Sequence, residues 1–101
     1  MPDLLFQQLS TVQSDKAPTP VTVASAATVA PSTFMTLVTG TTAIVTITPP
    51  VTGSHMLCLV FTAGTPTAFS VAGNVKNALA PTQNVPVFAV WNPTENKYYM
   101  K

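Results

Sequence analysis

Charge is what this chain of 101 residues has least of. Asp, Glu, Lys and Arg make up 7% of it, against ~25% in an ordinary soluble domain. Arginine is absent, and the whole ionisable set of that kind is Asp3, Asp15, Lys16, Lys76, Glu95, Lys97 and Lys101. A net charge of +1 without a basic cluster lacks the several cationic side chains that phosphate binding needs, so nucleic acid is excluded as a partner. A single cysteine, Cys58, excludes an intrachain disulfide framework. One histidine, His55, and three carboxylates cannot supply about four metal ligands at convincing spacing, so no metal and no cofactor is expected. The four glycines, Gly40, Gly53, Gly64 and Gly73, stand apart from one another and form no phosphate loop. No stretch approaches the ~20 consecutive apolar residues of a membrane span. The start, Met1-Pro2-Asp3-Leu4-Leu5-Phe6, has no basic region and no long apolar run and does not read as a signal peptide.

What remains is a 47% hydrophobic chain rich in threonine and proline, long enough for one modest core. An ordinary soluble monomer coats itself with charge. This chain cannot, so much of its surface is expected to face other protein; the alternative is a threonine-rich secreted domain with a neutral surface.

Residues 1 to 31 differ from the rest. Pro2, Pro18, Pro20 and Pro31 interrupt any helix, and each residue before a proline is held extended. This segment reads as an extended N-terminal arm. Asp3 could cap a turn or two carrying Leu4, Leu5, Phe6 and Leu9, an apolar plug at the tip. Val21 and Val23 form a short edge strand, laid either on a neighbour's sheet edge or on the module's own sheet. The expected role of the arm is anchoring to neighbouring protein, whether copies of this chain or another lattice.

Residues 32 to 101 read as strands. Phe34 to Val38 precedes the turn signal Thr39-Gly40-Thr41-Thr42, and Ala43 to Thr48 follows as a half-buried strand beside it. Pro49-Pro50 ends that strand. His55 to Phe61 is a continuous apolar run, expected to be central and covered on both faces. Ala68 to Val71 reads as a short strand and Val85 to Trp91 as a longer one. Asn92 to Asn96 forms a hairpin loop, and Lys97 to Met100 returns. Strands every 8 to 12 residues without a long helix give an all-β fold, a jelly-roll-like antiparallel β-sandwich.

No catalytic constellation emerges. In an extended run Ser54 and Cys58 lie at odd separations from His55, on the opposite face, which disfavours a triad or a Cys–His dyad there. Trp91, Tyr98 and Tyr99 flank one short loop; they pack across the hairpin as core or form a ligand cluster. The chain is read as not an enzyme.

The order of the pieces carries a resemblance. After the proline-broken arm come "STFMTLVTGTTAIVTITPPVTG", the apolar strand with "MLCLVFTAGTPTAFSVAGNV", and the hairpin "VPVFAVWNPTENKYYM". Residues 32 to 101 thereby resemble the small β-modules of tailed-bacteriophage virion proteins, the capsid decoration (cement) proteins and head fibres. The final pair here is Tyr98-Tyr99 where those modules carry a Trp-Tyr-like end. The resemblance implies a β-sandwich, a homotrimer and a place on the outer capsid surface, after synthesis in the host cytoplasm. It also implies the major capsid protein as partner and a cement function, stapling neighbouring capsomers. The alternative is a tail-fibre or receptor-binding module whose aromatic hairpin contacts a host glycan; a cellular carbohydrate-binding domain is a third reading.

Overall fold

The computed structural model describes residues 20 to 101. Leu4, Leu5, Phe6 and Leu9 lie outside the described residues. Among the described residues the fold is all-β, with seven strands: β1 (Val21–Ala24), β2 (Thr28–Val29), β3 (Met35–Thr39), β4 (Thr46–Ile47), β5 (His55–Phe61), β6 (Pro86–Asn92) and β7 (Lys97–Met100). Five form one sheet in the order β1-β3-β5-β6-β7; β2 and β4 form a second, two-stranded sheet. Among the described residues no helix is long and apolar enough to cross a membrane.

The first half of the chain winds as a coil. β1 pairs with β3, and β3 with β5, in parallel. The intervening strands β2 and β4 pair in parallel in the other layer. Each turn therefore deposits one strand in each sheet, as in solenoid architectures. The second half is antiparallel: β6 returns beside β5, and β7 beside β6. The large sheet is thus mixed, which corrects the antiparallel expectation. Ala43 to Thr48 does not lie beside β3; only Thr46–Ile47 is strand, and its partner is β2. The physical reason is the route of the chain after Thr39. Gly40 takes φ +80°, a left-handed value that glycine adopts without penalty. The chain then leaves for the second layer instead of folding back as a hairpin. Ala68 to Val71 is not a strand, although the Ser70 N–H donates to the Ile44 carbonyl at 2.9 Å.

Val21 and Val23 are paired within the chain, at the edge of its own large sheet, with Thr36 and Val38 as partners. Together with β2 this places residues 21 to 29 inside the folded module, upstream of the expected boundary at Pro31.

Side-chain alternation sets the core. Leu57, Leu59 and Phe61 of β5, Val87, Ala89 and Trp91 of β6, and Tyr98 and Met100 of β7 all point inward and are buried. Val29, Ile44, Ile47, Phe69 and Val75 close over them from the second layer and its loops. Gly73 belongs to this closure, because a Cβ there would collide with the Val45 carbonyl and the Thr46 hydroxyl. Thr36 is the one buried polar residue of the described core, and its hydroxyl makes no hydrogen bond among the described residues.

The expectation that β5 is covered on both faces does not hold. Leu57 and Leu59 are fully buried, while Met56 on the other face is 53% exposed. The free edge of β7 is closed by residues 74 to 77: the Tyr98 N–H donates to the Asn74 carbonyl, and the Lys76 N–H to the Tyr98 carbonyl, both at 2.7 Å. The Asn77 side chain bonds the Met100 backbone in both directions. Among the described residues β1 is the open edge.

Candidate functional site

Two surfaces of the large sheet carry the candidate residues. On the inner face the register places His55 opposite Trp91 and Trp91 opposite Tyr98. These three rings form one row across β5, β6 and β7. Trp91 and Tyr98 have ring centroids 4.7 Å apart, and His55 stacks on Trp91 at 6.1 Å. His55 Nδ1 lies 2.8 Å from the Gly53 carbonyl, which can only accept, so Nδ1 carries the proton. In the neutral ring Nε2 is then the acceptor for the Tyr98 hydroxyl at 2.7 Å. Burial pushes the Tyr98 phenol up to about 12, which keeps it protonated and makes it a weak acid.

Trp91 also borders an open cleft of about 510 Å³, walled by residues 49–53 together with Pro93 and Asn96. No charged side chain lines this cleft, and Trp91 itself is 9% exposed, so little of its ring is open to a ligand. Tyr99 points to the opposite side of the sheet and donates its hydroxyl to Glu95. The sequence-level cluster of Trp91, Tyr98 and Tyr99 is therefore divided: two rings pack in the core and the third is exposed, so the three share no stacking platform.

Cys58 lies on the face opposite His55, as the odd separation requires. Burial raises its thiol above the ordinary value. Among the described residues no group of three or more His, Cys, Asp or Glu side chains is placed to hold a metal ion.

The outer face of the same sheet is the second surface. Its rows, read from the register, are Met35–Cys58–Phe88, Leu37–Val60–Pro86 and Met56–Val90–Tyr99. Across β3, β5 and β6 every member is apolar or a thiol; at the β7 end Tyr99 follows Val90, and Lys101 pairs with Phe88. Met56, Val90 and Phe88 are 53%, 45% and 40% exposed, and no described segment covers them. The charged residues of the described chain all gather at one border. Lys97 and Lys101 are on or just after β7, Glu95 is in the turn before it, and Lys76 pairs with Glu95 at 3.2 Å. The strands β1 to β6 themselves contain no Asp, Glu, Lys or Arg.

Sequence reasoning missed this face as a site. The signal was present in the continuous run Met56 to Phe61, which reads equally as two covered faces or as one covered face and one awaiting a partner.

No protein-family model matches the chain, and neither a curated protein nor a solved structure matches it.

Proposed function

We propose that this chain is a non-enzymatic structural module that works by docking against other protein through the outer face of its large sheet. In that reading it is a capsid decoration protein of a bacteriophage virion, bound to the major capsid protein on the outer capsid surface and stabilising contacts between capsomers. A jelly-roll-like sandwich belongs to the same reading, with the five-stranded sheet as one layer and β2–β4 with its loops as the other.

The observation that carries the docking role is the outer face, which no described segment covers and whose strands β3, β5 and β6 carry no Asp, Glu, Lys or Arg. Contiguous exposed apolar patches larger than a few hundred Å² mark interaction surfaces, and strands of five to seven residues at the centre of a five-stranded sheet present a patch of that order. The virion setting rests on the sequence resemblance of residues 32 to 101. A receptor-binding module reading a host glycan with its aromatic hairpin is less well supported, since Trp91 and Tyr98 turn inward and Tyr99 outward.

The test is addition of the purified chain to capsids that lack it. The reading requires saturable binding in hundreds of copies per particle and a rise in the temperature at which the capsids break open. Binding limited to a few copies at the tail supports the fibre alternative, and no binding refutes both.

A further inference from the structure

We propose that the outer face of the large sheet pairs with the same face of a second copy of this chain, giving a two-fold dimer whose two sheets close a sandwich about 10 Å thick. This rests on the docking reading above: the second copy takes the outer face, and the dimer meets the capsid through its remaining surface. Three observations lead to a second copy.

The first is area. Strands about 4.8 Å apart, five to seven residues long at the centre, present roughly 500 Å² per copy and about 1,000 Å² per pair, the lower bound for a specific interface. The patch is therefore large enough for one sheet laid on another. The second is charge. The centre of the face, from β3 to β6, has no ionised group, Lys97 and Lys101 lying at its β7 edge, so the centre neither repels its own copy nor calls for an oppositely charged partner. The third is the position of the charges. Lys97, Lys101 and the Lys76–Glu95 pair border β7 only. A two-fold axis lying between the sheets along β5 sets β7 of one copy over β1 of the other, where Thr22 and Ala24 face outward. That arrangement keeps the lysines of the two copies on opposite sides of the interface, whereas an axis across the strands would set β7 on β7. Because a contact of one face with itself is isologous, it closes at two copies, in place of the trimer that the sequence resemblance implies.

Cys58 is the middle residue of the middle strand. Every two-fold axis through the centre of the face sets the two Cys58 side chains against each other. At a sheet separation of about 10 Å their Cα atoms are too far apart for a disulfide, so the thiol reports the interface by protection and not by cross-linking.

The experiment is sedimentation equilibrium of the full chain over roughly 1 to 100 μM, with the rate of maleimide labelling at Cys58 measured over the same range. A dimer of twice 10.6 kDa is expected, with labelling slowing as the dimer fills and the labelled chain sedimenting as a monomer. Met56→Asp and Val90→Asp each place a charge at an already exposed position. They should leave the circular dichroism unchanged and weaken the dimer ~100-fold or more, because the charge is buried unpaired in the complex. Val71→Asp, at a loop position 54% exposed, should change neither. A trimer, or a dimer that survives both aspartates with Cys58 still labelled at the monomer rate, overturns the proposal. A monomer throughout the range overturns it too. If that monomer still decorates capsids and Met56→Asp prevents it, the docking reading stands without self-pairing. If Met56→Asp changes nothing, both fall.

Discussion

Replacing Trp91 by alanine removes the central ring of the inner row. Trp91 is 9% exposed, lies between His55 and Tyr98, and contacts both rings. Loss of a buried tryptophan costs about 3–5 kcal/mol from lost transfer energy and the void left behind. One side of Trp91 borders the open cleft beside residues 49–53, so water and the loop can fill part of that void. This places the cost at the lower end, about 3 kcal/mol, within a total stability of roughly 5–15 kcal/mol. At about 4–8 °C per kcal/mol for a domain of this size, the melting temperature should fall by about 12–24 °C. Trp91 is the single tryptophan, so its fluorescence disappears with it. Urea denaturation should instead be followed by far-ultraviolet circular dichroism, with Trp91→Phe as the companion that keeps an aromatic on Tyr98. A Trp91→Ala variant within about 1 kcal/mol of the parent refutes the packing argument. If that variant also loses binding to a glycan, the cleft is a ligand site and the hairpin aromatics serve recognition.

Thr36→Val removes a buried hydroxyl that has no partner among the described residues and keeps the side-chain shape; a gain of about 1 kcal/mol is expected, and a loss in chemical denaturation would show that the hydroxyl is bonded. Gly73→Ala drives a Cβ into the Val45 carbonyl and should cost about 1–3 kcal/mol, whereas Gly64→Ala, with nothing nearby, should be near neutral; equal effects would contradict the packing at Gly73. The Tyr98 phenol is raised from 10.0 to about 12 in the folded chain, so its contribution is fully present below pH 10 and is lost as pH rises through 12. Denaturation midpoints should fall across that window in the parent and fall less in Tyr98→Phe; identical alkaline profiles would remove Tyr98 as the cause.

The parts of the fold legible in the sequence are those fixed by periodicity and by short loops. The apolar run His55 to Phe61 is β5 residue for residue. The Asn92 to Asn96 loop joins β6 and β7 and brings Trp91 opposite Tyr98. Alternation also put Cys58 and His55 on opposite faces. The parallel pairings were not legible, because a period of two assigns a side chain to a face and says nothing about which strand lies alongside. The segment around Thr39 and Gly40 has the composition of a hairpin turn, yet the chain uses it to cross between layers, and only tertiary packing of Ile44 and Ile47 against the large sheet decides between these routes. The same limit hid the outer face. Met56, Cys58 and Val60 are as apolar as Leu57 and Leu59, and composition alone does not separate residues buried in one chain from residues left for another.

The coil in the first half of the chain sets an order of events in folding. Trp91 and Tyr98 meet across a loop of a few residues, and such a hairpin closes in about 1–10 μs. Joining β1 to β3 brings together residues 15 apart (Val21 and Thr36), and joining β3 to β5 residues 23 apart (Thr36 and Leu59). These parallel contacts must close longer loops before they return any pairing energy. The β6–β7 hairpin is therefore positioned to nucleate; β5 joins it across a still longer separation, 26 residues between Val60 and Pro86, and β1, with β3 as its one neighbour, lies farthest from the hairpin in the sheet. Weakening β1 should then speed unfolding while leaving the folding rate almost untouched. Opening of β1 would bare the edge of β3 and leave the hairpin at the other end of the sheet undisturbed.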